Sequence, residues 1–495
     1  MKKYLFFRII RSIVSIFLVT TLTYIIIYSL VPRRDVFKND AMVSKLKSDP
    51  DKLTDYMDNA YSKMNYIEYL DTKSLIAKAS TKDKEVTSAH TAENKKAIDS
   101  WAKKNGFKVH RYEESKDYYA TRDLPLLERL GRFYGNLIEI DHPWAVKDPK
   151  NPNLKRYLRF ENDKLAGFAL VGSGTKYRYQ IYFNSSFPFI HQNIIHINLG
   201  TSYPTYAGLP VSSVLGQRQG QAVSKEYTFS NGQKLNSSDN IYSRQYQPAA
   251  KQDDMARERY GDYYTKTSQN YADPSMIGTS FKSGMIALLI TYIISIPMAI
   301  LMARFKGRLF DKVGTGIVTV LISVPSLAFI YAFRYVGSSL FGFPDSFPTL
   351  GAENINSWVL PTFILGFLSV SSMVIWFRRY MIDQQSSDYV KFAKAKGLDD
   401  GEIYRKHIFK NASIPIVQGI PGQIIGLITG ATMTETIFAM PGMGKMLPDS
   451  IIAHNNPLVI SLVFIFTTIA VFSVLLGDIL MTIVDPRIKL ETGDD

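Results

Sequence analysis

Hydrophobic positions in this chain gather at its two ends and thin out between them. Residues 9–31, IIRSIVSIFLVTTLTYIIIYSLV, form an apolar run long enough to cross a bilayer core of about 30 Å, which takes roughly 20 helical residues. Further runs follow at 280–304, 313–333, 357–377, 415–438 and 457–484. Together they predict about six crossings, each a helix, because lipid offers the backbone no hydrogen-bond partner. Pro297, Pro325, Pro361 and Pro421 fall inside these runs, where neighbouring helices or water can satisfy the freed carbonyls. The first run has a basic start (Lys2, Lys3, Arg8, Arg11), as a cleaved signal does. It exceeds the usual apolar core of a signal peptide, however, and leaves through Val31-Pro32-Arg33-Arg34 with no small-x-small site, so a retained anchor is expected.

From about 33 to 275 the chain is polar, rich in Tyr, Lys, Asp and Ser, and long enough to bury a core of its own. Residues 40–105 read as amphipathic helices, with 80–97 a solvated helix or mobile segment. KYRYQIYF (176–183) alternates polar with apolar or aromatic residues and predicts a half-buried strand, its aromatics serving a core rather than a ligand. Residues 216–275 read as surface loops. The expected organisation is an N-terminal helix (1–32), an inserted α/β domain (33–275), a five-helix all-α membrane core (276–485) carrying a long loop at 378–414, and a tail (486–495).

Composition narrows the chemistry. The chain has 495 residues and no Cys, which excludes disulfides, Cys-ligated zinc, iron–sulfur clusters and thiol catalysis. Lys and Arg number 58 against 44 Asp and Glu, a net charge of +14. Much of that excess sits in short loops: Arg304, Lys306, Arg308 and Lys312 in one; Arg378, Arg379, Lys391, Lys394, Lys396, Arg405, Lys406 and Lys410 in another; Arg487 and Lys489 in the tail. Residues 336–356 have neither Lys nor Arg, and 439–456 only Lys445. By the positive-inside rule both termini and both basic loops face the cytoplasm, and 33–275 lies outside. The charge needs no nucleic acid to explain it.

The longest cytoplasmic loop is DYVKFAKAKGLDDGEIYRKHIFKNASIPIV (388–417). Helical character lasts to Lys396 and is broken by Gly397, after which Asp399 and Asp400 suit the cap and first turn of a second helix running through Lys410. Two short helices on a glycine elbow suit the docking of a cytoplasmic partner, with Ala393 and Ala395 letting it approach closely. The same composition also suits a basic loop resting on anionic lipid.

DYVKFAKAKGL closely resembles the EAA loop of permease subunits of ABC importers, in the form found in dipeptide and oligopeptide systems. Other segments agree in order: INLGTSYPTYAGLPVSSVL (197–215), ETIFAMPGMGKMLPDSI (435–451) and GDILMTIVDPRIKL (477–490). The likeness covers about half the chain and is nearest the first of the two permease subunits of Gram-positive cocci, which carry an enlarged outer domain. Lys391 and Phe392 stand where Glu and Ala open the general EAA pattern, and most of 33–196 and 219–275 has no counterpart in the compact family form.

The resemblance implies a type I ABC importer-like fold and a transmembrane subunit for oligopeptides. Its partners would be a homologous second permease subunit, two cytoplasmic P-loop ATPases, a lipid-anchored peptide-binding protein and membrane lipid. The coupling residues would be Asp388, Tyr389, Val390, Ala393, Ala395, Lys396, Gly397, Leu398, Ile414 and Pro415. ATP and Mg would be held by the ATPases; this chain has no P-loop of its own, since Gly442-Met443-Gly444-Lys445 lacks the preceding glycine and continues with Met446. Such a subunit is not an enzyme and carries no cofactor or metal.

Other residues stand out. Asp478, near the inner end of the last helix, is expected to pair with an inner-loop Arg or Lys. Arg334 and Glu435 are expected to snorkel or to pair between outer loops. Gly419, Gly422, Gly426 and Gly430 are expected to serve helix packing rather than peptide contact. Two other classes remain open on residues alone. An ion-coupled secondary transporter calls for charged pairs at mid-membrane. A membrane-anchored extracellular sensor or enzyme calls for a catalytic constellation, whereas His90, His110, His142, His191 and His196 are scattered.

Overall fold

The computed structural model describes residues 2–38, 40–80, 86–87, 91–140, 157–163, 167–172, 179–183, 190–192, 195–217, 220–228, 234–245, 266–269 and 271–484. The chain divides into two compact units, Met1–Asp35 with Pro274–Asp495, and Val36–Asp273.

Helix α1 (Lys2–Leu30) opens the first unit. The second unit then supplies α2 (Ala41–Lys45), α3 (Pro50–Lys63), β1 (Ile67–Leu70), α4 (Thr72–Ala79), α5 (Ala92–Asn105), β2 (Lys108–Arg111), β3 (Tyr118–Asp123) and α6 (Leu126–Gly135). Helices α2 to α5 begin at Asp40, Asp49, Asp71 and Thr91, whose side chains each accept a first-turn N–H. The strands form an antiparallel sheet in the order β1-β3-β2, and Leu70, Leu75, Ala79, Ile98 and Ala120 pack between sheet and helices. Glu68 on β1 is gripped by Arg122, at 2.8 Å, and by Arg132, which together hold its carboxyl down at about 2.

Among the described residues, the rest of this unit is β-structure with one short helix: β4 (Ile138–Ile140), β5 (Leu158–Asp163), β6 (Gly167–Gly172), β7 (Tyr179–Phe183), β8 (Ile190–Gln192), β9 (Ile195–Ile197), α7 (Val211–Gly216), β10 (Lys225–Thr228), β11 (Lys234–Ser237), β12 (Asp239–Gln245) and β13 (Lys266–Gln269). Strands β5 to β8 form a four-stranded sheet, and the pairs β4–β9, β10–β11 and β12–β13 are separate antiparallel ribbons. The expected strand at 176–183 is present as β7; residues 176–178 lie outside the described residues, as do 81–85 and 88–90 of the 80–97 segment and the whole 486–495 tail. The expectation of loops over 216–275 is corrected, since four strands lie there. Their sequences, KEYT, KLNS, DNIYSRQ and KTSQ, lack the sustained polar–apolar alternation by which strands are recognised.

The first unit resumes with α8 (Met276–Arg304), α9 (Leu309–Ser323), α10 (Ser326–Phe341), α11 (Asn356–Gln385), α12 (Asp388–Ala395), α13 (Asp400–Ile403), α14 (Phe409–Gly430), α15 (Thr432–Ile437), α16 (Met443–Ile452) and α17 (Asn456–Val484). A π-helical turn, Tyr404–Ile408, joins α13 to α14. By length and apolarity, Phe6–Leu30, Met276–Arg304, Asn356–Gln385, Asp400–Ile437 and Asn456–Val484 can each cross a membrane; α9 and α10 make a sixth only if the bent pair is one span. The run expected to cross over 313–333 is thus made of two helices that meet at 107°. Pro325 lacks the N–H that would continue α9, and Val324 before it is driven to extended backbone (φ −74°, ψ 126°).

Two close approaches organise the bundle. At Gly366 on α11 an added Cβ would stand 2.6 Å from the Ala287 carbonyl oxygen of α8, and the Thr291 hydroxyl donates across the same seam to the Gly366 carbonyl at 2.8 Å. At Gly477 on α17 it would stand 2.5 Å from the Gln418 carbonyl oxygen of α14. Small residues at a seam let two helix backbones touch, the main source of attraction where lipid is as apolar as the side chains.

Candidate functional site

The elbow between α11 and α14 is built by local rules. Helix α12 ends at Lys396, and Gly397 turns the chain at φ +77°. The Gly397 N–H donates to the Lys394 carbonyl at 2.9 Å and the Leu398 N–H to the Ala393 carbonyl at 3.2 Å, the paired bonds of a glycine-ended helix. Ala393 and Leu398 then meet in one apolar cluster, as that ending favours. Asp399 restarts the chain by accepting from the Gly401 N–H at 2.9 Å.

One side of the elbow is sealed against its own chain. Val390, Ala393, Ile403, Ile408 and Ala412 are buried together with Ala303 of α8 and Met381 of α11. The Ala303 carbonyl, in the last turn of α8, has no partner within its helix. The Gln385 amide donates to it at 2.9 Å and the Tyr404 hydroxyl at 3.3 Å, so the π-helical turn and α11 both hold the end of α8. Nearby, Arg378 on α11 makes a two-pronged pair with Asp311 on α9 at 2.7 and 2.8 Å. The elbow is thus packed and hydrogen-bonded onto the ends of α8 and α11.

The other side is open. Phe392 is 69% exposed, a large apolar ring with no core of its own. Around it stand exposed Lys391, Lys394, Ala395 and Lys396. Asp388 is also exposed and pairs with Lys391 at 2.8 Å, which holds its carboxyl below the usual carboxylate range. Such exposed pairs add little stability.

Of the residues picked out from the sequence, Asp388 to Leu398 are brought together here. Val390 and Ala393 face inward, so Ala393 eases contact with α11 and α14, not with a partner as expected; Ala395 is the small residue on the open side. Tyr389 is half-buried, its hydroxyl donating to Gln384 at 2.7 Å. Ile414 and Pro415 are half-buried on α14 and are not members of the elbow cluster. Phe392 is the residue that sequence reasoning passed over as a site. Its signal was available: Val390 and Ala393, spaced i and i+3, define the inner stripe, and Phe392 falls on the far side of that helix.

At the opposite end of the same helices lies a second polar centre. Glu435 on α15 is 1% exposed and accepts from the Ser280 hydroxyl of α8 at 2.5 Å and the Lys445 N–H at 2.9 Å. The Ser280 oxygen in turn accepts from the Met443 N–H at 2.8 Å. Gly442 is required beside it, since a Cβ there would meet the carboxylate carbon at 2.1 Å. Glu435 is thus locked within its own chain, which corrects the expectation of snorkelling or a loop pair. Arg334 does make such a contact, with Asp345 at 3.4 Å, and donates to the Ile437 carbonyl at 3.1 Å. Asp478 pairs at 3.0 Å with Arg8 of α1, a helix residue and not an inner-loop cation.

Between the two ends, α8, α11 and α14 line an open pocket of about 410 Å³, with Ser369, Ser372, Gly422, Gln423 and Gly426 among its walls. At Gly422 and Gly426 an added Cβ would meet nothing within 4 Å, and at Gly419 only the Gln423 amide at 3.6 Å. Packing within this chain therefore does not require them, contrary to expectation.

Residues 295–490 match the model of the family described as binding-protein-dependent transport system inner membrane component. Over 494 residues, 99% of either chain, the sequence is 53% identical to the oligopeptide transport system permease protein AmiC of Streptococcus pneumoniae. The chain belongs to this family of transport permeases. A shorter relative, the dipeptide transport system permease protein DppB of Lactococcus lactis, is 34% identical over 43% of this chain and 69% of its own. The oligopeptide transport system permease protein AppB of Bacillus subtilis is 29% identical over 41% and 67%. The match to AmiC extends through the Val36–Asp273 unit as well, so this permease shares its large inserted unit with that relative. As a permease with several membrane-length helices, it is a multi-pass membrane protein.

Proposed function

We propose that this permease subunit forms half of the path of an ATP-driven oligopeptide importer and is worked from the cytoplasm through the elbow at 388–415. The observation that carries the reading is the two-sided elbow: one face sealed onto α8, α11 and α14, the other presenting an exposed Phe392 among lysines. A buried aromatic anchor ringed by polar groups is the usual energetic centre of a protein interface. Partners supplying the rest are a homologous second permease subunit, two cytoplasmic P-loop ATPases and a lipid-anchored peptide-binding protein. ATP and Mg²⁺ bind on the ATPases, and this chain hydrolyses nothing. The full-length likeness to AmiC supports oligopeptide as the cargo.

The mechanism follows from stiffness. ATP binds the closed ATPase pair more tightly than the open one, and that difference drives the change of state. An ATPase gripping Phe392 displaces the elbow. Gln385, Tyr404 and the shared apolar cluster transmit the shift to the ends of α8 and α11. The basic loops at 304–312 and 378–410 support a cytoplasmic elbow, both termini inside, and the Val36–Asp273 unit on the outer face.

The test is co-purification with the two ATPases. Phe392→Ala is expected to weaken their binding by roughly 30-fold or more, the effect of losing an interface anchor worth about 2 kcal/mol, with the chain still inserted and folded. Unchanged ATPase binding in that variant, or peptide uptake by the chain without ATPases, overturns the reading.

A further inference from the structure

The cavity between α8, α11 and α14 has a lining that is neutral throughout: hydroxyls, glycine backbone and apolar side chains around a single carboxamide, Gln423. The Gln423 Nε2 finds the Met373 thioether sulfur at 3.2 Å, a weak acceptor, and the carboxamide also interacts with the Tyr292 hydroxyl. Beside it, Gly422 and Gly426 are exposed, one helical turn apart, and leave open space where side chains would stand. An extended peptide carries one N–H and one C=O at every residue, and each costs free energy in a low-dielectric passage unless paired. A carboxamide offers one donor and one acceptor to that main chain and takes no account of side-chain charge.

We propose that Gln423 hydrogen-bonds the main chain of the peptide in transit, with Gly422 and Gly426 making room for its variable side chains. This rests on the peptide-import reading and deepens it. A positioning group that reads only main chain suits cargo of varied sequence, and a charged residue in its place would discriminate by side chain and carry a desolvation cost.

The experiment uses the whole complex in proteoliposomes with its binding protein. Uptake is measured for hexa-alanine and for hexa-alanine N-methylated at its peptide bonds, each with wild type and Gln423→Leu. That apolar substitution keeps the side chain's bulk in a membrane helix. Gln423→Leu is expected to lower hexa-alanine uptake about tenfold, as for one hydrogen bond lost in an apolar setting, with the second permease subunit and the ATPases still assembled. N-methylation is expected to slow the wild type and to cost the variant little more; the binding protein's own preference cancels in that ratio. Three results overturn the proposal: wild-type uptake in Gln423→Leu, an equal N-methyl penalty in both proteins, or loss of the second permease subunit from the variant, which would make the cavity a subunit seam. Should the wild-type complex move no peptide at all, the import reading itself falls, and that is visible before any variant is compared.

Discussion

Helix α14 connects two ends that handle their polar and apolar groups in opposite ways. At the Glu435 end, the carboxylate, the Ser280 hydroxyl and the Met443 and Lys445 amides close upon one another inside the chain. Phe438 and Trp358 are buried beside them, and the Lys282 ammonium lies 4.0 Å over the Trp358 ring. At the elbow end the backbone closes its own turn at Gly397, yet Phe392 and the lysines around it stand outside any core of this chain. The Glu435 end completes itself from one polypeptide. The elbow has a hydrogen-bonded, packed backbone and an unfinished surface, which is what an element needs if it is to be driven by another protein without deforming. On the proposed reading, the difference separates holding from being moved along a single helix.

The severest way to break this comparison is Gly397→Pro. Proline fixes φ near −65°, whereas Gly397 sits at +77°, and the substitution removes the N–H that donates to Lys394. The elbow is expected to lose its turn and peptide uptake to fall by about two orders of magnitude, with membrane insertion and the Glu435 end intact. Gly397→Ala separates shape from presence. A Cβ there meets nothing within 4 Å, so its cost is the left-handed backbone alone, roughly 1–2 kcal/mol, and uptake is expected to be reduced and not abolished. Uptake by the proline variant at the normal rate would remove the elbow from the mechanism.

Ser280→Ala tests the other end. It strands the Met443 N–H and takes a donor from Glu435, a loss expected to be about 1–3 kcal/mol, read as a lower unfolding temperature of the full-length chain in detergent. ATPase binding should stay at the wild-type level, since the serine lies at the far end of α8 from Ala303. An altered ATPase affinity with unchanged stability would mean that the two ends are not separate in function.

What could be read from the sequence follows the reach of the interactions concerned. The elbow was legible because a glycine-ended helix and an aspartate cap are decided by residues within a few positions: Gly397 with Leu398, Asp399 with Gly401. The spacing of Ala393 from Val390 marks a shared stripe, but what that stripe packs on was not legible, since Met381 and Ala303 are distant in the chain. Pro325 was legible as a tolerated proline but not as a 107° corner; the 15 residues of α9 span only about 22 Å, too little for a crossing, and the angle is set by tertiary packing. Glu435 looked like a surface acid because Ser280, which closes over it, lies 155 positions earlier. In the Val36–Asp273 unit the capped helices were readable, whereas the sequences of β10 to β13 (KEYT, KLNS, DNIYSRQ and KTSQ) carry no sustained polar–apolar alternation.

The glycines of the bundle give the finest test. Those at 419, 422, 426 and 430 attracted notice by their spacing, yet spacing reads the same whether a helix faces another helix or a cavity. The seams depend instead on two glycines with no pattern around them, Gly366 and Gly477. Gly366→Ala forces a methyl to 2.6 Å from a backbone oxygen that cannot swing aside, so α8 and α11 must separate, at an expected cost of about 1–3 kcal/mol in stability. Gly426→Ala adds the same methyl to open space and gains helix propensity of up to about 1 kcal/mol, so stability is expected to hold or rise slightly. Its effect, if the cavity carries cargo, appears only in transport, as a modest loss of uptake that grows with the bulk of the peptide's side chains. Measured together in detergent and in proteoliposomes, the two variants separate the glycines that hold the bundle closed from those that keep a passage through it. A drop in stability for Gly426→Ala equal to that for Gly366→Ala would assign both to packing and leave the middle of α14 as structural as its Glu435 end.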